Sequence, residues 1–140
     1  MFIEVYSRPI NGPATIDGLP AVLPGIEDAT ALGEAILQCL ERSTFRTMPA
    51  PDHGNNPMVE EILAWAGARD WKSYTKGSKS VGLFAGYSTA PPTTVSITPE
   101  AWNRKGGISP IDDEYRENVS FSSAEELGRL VQDAMKVARA

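Results

Sequence analysis

Few residues in this chain have the type and spacing that chemistry demands. His53 is the sole histidine, so proton transfer near neutral pH would fall to it. It lies in a Pro/Gly/Asn-rich stretch with no acid or nucleophile at a fixed spacing, the setting of a solvated loop side chain. Asp112-Asp113-Glu114 could hold a cation loosely, but a triple acidic run more often forms a solvated face. No Cys-x-x-Cys, His-x-x-x-His or alternating-aspartate pattern offers metal ligands. Lys76-Gly77-Ser78-Lys79 has the composition of a phosphate loop without its spacing, which needs a glycine five residues before the Gly-Lys pair and a hydroxyl after it. Gly106-Gly107 belongs to no Gly-x-Gly-x-x-Gly fingerprint, and no Gly-x-Ser-x-Gly elbow occurs. The expectation is a chain with no catalytic, metal-binding or cofactor-binding residues.

The elements that would position any site form a small closed domain. A chain of 140 residues fits one domain, 1–140, that buries roughly two-thirds of its unfolded surface. Residues 2–7 alternate apolar and polar and read as a strand. Residues 8–27 hold Pro9, Gly12, Pro13, Gly18, Pro20, Pro24 and Gly25, too many breakers for a regular element. Ile10, Ile16, Leu19, Val22, Leu23 and Ile26 anchor that stretch as an ordered loop or covering flap. A first helix is predicted over Ala29–Arg42, capped by Asp28, with Leu32, Ala35, Ile36, Cys39 and Leu40 on its buried face. After a loop over 44–56, Asn56-Pro57 starts a short helix that Gly67 ends, with Trp65 at core spacing. Trp71–Tyr74 reads as a possible strand, with Lys76–Lys79 as a polar connection. Ser80–Tyr87 and Thr93–Thr98 are better strands, joined by a turn at Ala90-Pro91-Pro92. Lys105-Gly106-Gly107 opens another loop, Asn118–Phe121 is a last short strand, and Ser122-Ser123-Ala124-Glu125 is a capping box for a final helix. This order favours an α+β (α/β) fold: a mostly antiparallel or mixed central sheet packed by about three helices.

Two stretches repeat one design. Asp28 to Leu40 and Ser123 to Met135 each place a cap, then Leu-Gly (Leu32-Gly33 and Leu127-Gly128), then an apolar stripe. A glycine inside a helix costs about 1 kcal/mol relative to alanine, so it marks close backbone approach. The repeat suggests two helices docking onto one sheet in similar ways.

Bulk numbers exclude several roles. A net charge of −5 disfavours nucleic acid as a direct partner, because phosphate contacts need clustered Lys and Arg; the sharper implication is a basic protein partner. Trp71, Tyr74 and Trp102 lie among Lys72, Lys76, Arg104 and Lys105, an arrangement that suits base stacking or a protein interface, and the negative balance favours the interface. No apolar run approaches the ~18 residues that would cross a bilayer, so no membrane partner is expected. The opening residues lack the basic start and apolar run of a secretory signal, and the lone Cys39 forms no internal disulfide; both point to the cytoplasm.

The segments Ser7-Arg8-Pro9-Ile10-Asn11-Gly12-Pro13 and Ile16-Asp17-Gly18-Leu19-Pro20, with the Leu32-Gly33 helix, resemble immunity proteins of bacterial contact-dependent growth inhibition systems. Trp71-Lys72-Ser73-Tyr74, Lys79-Ser80-Val81-Gly82, Ile97-Thr98-Pro99 and the Leu127-Gly128 helix resemble that family's later blocks, so the likeness spans nearly the whole chain. The resemblance implies a small cytoplasmic, non-enzymatic protein that neutralises a cognate toxin domain, the C-terminal piece of a large exported protein. Such toxins are frequently nucleases, often acting on tRNA. Carboxylates laid over an electropositive cleft would steer association and block substrate. Asp112, Asp113, Glu114 and Glu117 beside Tyr115 are the first candidate toxin-binding cluster; Glu60, Glu61 and Asp70 with Trp71 are the second. The rival readings are a small cytosolic enzyme using His53 or the acidic run, and a generic interaction subunit with 8–27 as a docking arm.

Overall fold

The computed structural model describes residues 1–8, 13–43, 56–86, 90–102 and 107–140. His53, most of the loop expected over 44–56, Ile10, Tyr87, Arg104, Lys105 and Gly106 lie outside the described residues.

The amino-terminal segment folds back on itself. The strand expected over 2–7 is two short pieces, β1 (Phe2–Ile3) and β2 (Tyr6–Ser7). Two equally short antiparallel partners lie within the breaker-rich return, β3 (Thr15–Ile16) and β4 (Ala21–Val22). Phe2 pairs with Val22 and Tyr6 with Ile16. Between the pairs, the Asp17 N–H donates to the Val5 carbonyl at 2.7 Å, and the Ser7 hydroxyl donates to the Asp17 carboxylate at 2.7 Å. Val5, Ser7 and Ile16 are buried. The stretch expected as an ordered loop or covering flap thus supplies one strand to each of two small two-stranded sheets.

Helix α1 (Ala29–Arg42) starts where the Asp28 carboxylate accepts from the Ala31 N–H, and it buries Leu32, Gly33, Ile36 and Cys39. Helix α2 (Pro57–Ala66) has the expected Asn56 cap and first-position proline, and Gly67 ends it in the left-handed region at φ 64°. The stretch read as a strand is instead helix α3 (Trp71–Thr75). Asp70 decides this locally: its carboxylate accepts from both the backbone N–H and the hydroxyl of Ser73 at 2.7 Å, closing a first turn.

The remaining elements build the main sheet: β5 (Val81–Phe84), β6 (Thr94–Trp102), β7 (Ile108–Pro110) and β8 (Arg116–Ser120). All pairings are antiparallel, with β6 central between β5 on one side and β8 followed by β7 on the other. The central strand runs through Pro99, beyond the expected end at Thr98. Proline is tolerated there because its nitrogen faces the gap where the neighbour changes from β8, paired up to Ile97, to β7, paired from Glu100. The gap is bridged by a 3-10 turn, Asp112–Glu114. Beyond the start of β5, the chain's last residues extend the sheet: the Trp102 N–H donates to the Arg139 carbonyl, and the Arg139 N–H to that of Glu100.

Helix α4 (Ala124–Val137) is capped by Ser123, whose hydroxyl accepts from the Glu126 N–H. The returning acid is Glu126, on the Ser122 N–H at 2.8 Å, one residue later than the expected Glu125, which pairs with Arg129. The two Leu-Gly helices do not simply dock side by side on a sheet. A Cβ on Gly33 would overlap the carbonyl of Ala124, and one on Gly128 would overlap the carbonyl of Ala29. Each glycine therefore lies against the first residue of the opposite helix, a reciprocal close approach. Around this crossing Leu32, Ile36, Leu127, Val131 and Ala134 pack with Val95 and Ile97 of β6 as the core.

Candidate functional site

The most distinctive surface is aromatic. Helix α3 presents Trp71 and Tyr74 with ring centroids 5.1 Å apart. Tyr74 stacks on Phe2 of β1 at 6.2 Å, and Phe2 meets Trp65 of α2 edge-on at 5.3 Å. Such pairs contribute about 0.5–1.5 kcal/mol beyond area burial, yet Phe2 remains 52 % and Trp65 41 % exposed. Trp65, expected as core packing, is thus part of an open face.

Glu4 organises one edge of this face. The Tyr6 hydroxyl donates to its carboxylate at 3.0 Å, and the Tyr74 phenol lies within reach of the same negative charge. Burial, reinforced by the Glu4 charge, pushes both phenols well above their usual range, so both stay neutral. Beside them a groove of about 680 Å³ opens between the 1–6 segment, α3 and β5. A second carboxylate, Glu100 of β6, accepts from the Ser80 hydroxyl there. Glu4 and Glu100 make no ion pair among the described residues.

The sequence-derived candidates fall on two separate elements. Asp112, Asp113 and Glu114 form the 3-10 turn beside β6; Tyr115 and Glu117 follow it, both exposed. Glu60 and Glu61 are exposed on α2, while Asp70 and Trp71 open α3. No hydrogen bond or ion pair joins the two clusters among the described residues. Asp70 is committed to local structure: hydrogen bonds from the Ser73 hydroxyl and N–H, and then Arg69, lower its carboxyl to about 2. Of the nine candidates, Trp71 is the one inside the aromatic cluster. Tyr74 carries the expected interface role beside Trp71, whereas Phe2, Glu4 and Tyr6 escape a reading of the sequence, because Phe2 meets rings more than sixty residues away. The alternating Phe2, Glu4 and Tyr6 was the signal present, but it reads equally as an ordinary strand.

Among the described residues no group of three or more His, Cys, Asp or Glu stands close enough to hold a metal ion. None of the described helices is long and apolar enough to cross a membrane. Comparison with protein-family models, curated proteins and solved structures finds no match for this chain.

Proposed function

We propose that this protein acts by covering another protein rather than by transforming a substrate. In the reading that the family resemblance supplies, it is a cytoplasmic immunity protein, and its partner is the cognate toxin domain of a contact-dependent growth inhibition system, a nuclease. The observation that carries the binding reading is the open ring cluster of Phe2, Trp65, Trp71 and Tyr74. Exposed aromatic groups in contact with one another are rigid, low-entropy anchors of the kind that dominate interface energetics. Carboxylates around them, on a chain of net charge −5, match the electropositive substrate cleft of a nuclease and favour rapid steered association.

The test is co-expression with the C-terminal domain of a large exported protein encoded beside this gene. The proposal predicts restored growth of the toxin-expressing cells and recovery of both chains as one complex. Growth arrest despite soluble, folded protein would reject the immunity reading for that pair.

A further inference from the structure

Among the described residues the main sheet ends on an unpaired edge. Hydrogen bonding in antiparallel strands alternates along the pair, and the Glu100 N–H donating to Ser80 fixes its phase. With the observed register, Gly82 and Phe84 bond β6, whereas the N–H and C=O of Val81 and Leu83 point away from it. Among the described residues no strand pairs with that side of β5. Val81, Gly82 and Leu83 also line the groove beside Glu4. Natural sheets blunt such edges with proline, lysine or a bulge, but β5 is Val81-Gly82-Leu83-Phe84, which has none of these. Its Gly82 adds no side chain to hinder an approaching backbone. The same groove is charged: Glu4 and Glu100 both line it, and their hydrogen bonds come from the Tyr6 phenol and the Ser80 hydroxyl. Two cations also line it: the Met1 ammonium donates to the Leu23 carbonyl at 2.8 Å, and the exposed Lys79 pairs with neither carboxylate among the described residues.

We propose that an extended segment of a partner protein adds to this edge as a further strand, bonding the main chain of Val81 and Leu83 and directing an arginine or lysine side chain toward Glu4 and Glu100. The inference rests on the protein-binding reading above and specifies the partner's chemistry. Main-chain pairing supplies affinity whatever the sequence, and the two carboxylates select for positive charge. A cation among half-buried carboxylates forms charge-assisted hydrogen bonds, and the rings of Tyr6 and Tyr74 add cation–π attraction. A second copy of this chain is the poorer occupant, since it would bring another net charge of −5 against an acidic groove.

The experiment is an NMR titration of the full 140-residue chain with synthetic heptapeptides of alternating threonine and valine. One carries a central arginine, one a central glutamate, and one is the arginine peptide with alternate amides N-methylated. The proposal predicts saturable shifts over 80–84 and slowed amide exchange at Val81 and Leu83 with the arginine peptide. The glutamate and N-methylated peptides, and the arginine peptide on the Glu4→Gln/Glu100→Gln variant, should bind at least about tenfold more weakly. An unchanged thermal midpoint in that variant shows that its fold is intact; if the midpoint falls, the three-peptide comparison on the natural chain decides. Equal binding of the arginine and glutamate peptides, shifts confined to other elements, or no slowing at Val81 and Leu83 overturns the proposal. So does concentration-dependent self-association that protects those amides without peptide. A toxin domain bound with its footprint elsewhere overturns this edge pairing and leaves the immunity reading standing. Failure of toxin protection alongside edge binding of the arginine peptide does the reverse.

Discussion

Asp70 shows one carboxylate doing structural work that its sequence context conceals. An acid whose folded pKa is depressed stabilises the fold at neutral pH and loses that contribution as pH falls through the folded value. For Asp70 the window runs from its ordinary 3.8 down to about 2. The stability difference between the natural protein and Asp70→Ala, measured by urea unfolding, should therefore be constant above about pH 5 and shrink between about pH 4 and pH 2. Glu126, held down by the N–H and hydroxyl of Ser122, and Asp133, held down by Lys136, push acid sensitivity the same way. Cys39 behaves oppositely. Its side chain is buried in α1 and burial pushes the thiol up, so a thiol-specific reagent should label it slowly in native protein and fast in denaturant. The burial of Cys39 was readable from the helical stripe. The role of Asp70 was not, since five residues are too few to display a 3.6-residue period and Trp-Lys-Ser-Tyr also alternates like a strand.

At the scale of elements, the paired glycines carry the strongest expectation. Replacing Gly33 or Gly128 by alanine gains about 1 kcal/mol of helix propensity. The added Cβ, however, would overlap a backbone carbonyl that cannot move without shifting its helix. Overpacking of this kind costs about 1–3 kcal/mol, so each variant should lose stability in urea unfolding, where an exposed helical glycine would gain it. Unaltered or raised stability in both variants would contradict the reciprocal contact. The repeated Leu-Gly register announced close approach, but not that each glycine meets the other helix's first residue. That contact joins positions 29–33 to 124–128, and periodicity has no access to pairs so far apart in the chain. Capping and apolar stripes made α1, α2 and α4 readable for the same local reason. The continuation of β6 through Pro99 was hidden, because it depends on where its neighbouring strands change over.

For the whole molecule, charge and exposed rings define what it can meet. With a net charge of −5, association with a basic partner should slow steeply with added salt while dissociation changes little. Reversing Asp112 and Asp113 to lysine should likewise slow association with a toxin domain and weaken binding; unchanged affinity would remove the 3-10 turn from the interface. The aromatic face makes the sharper demand, because truncating a central anchor raises the dissociation rate. The most direct measurement is calorimetric titration of the proposed toxin partner with the natural protein and with Phe2→Ala and Trp65→Ala, each first shown to keep its thermal midpoint. Loss of at least about tenfold in affinity in both variants is the expected result, whereas affinities equal to that of the natural protein would contradict the claim that this face does the covering.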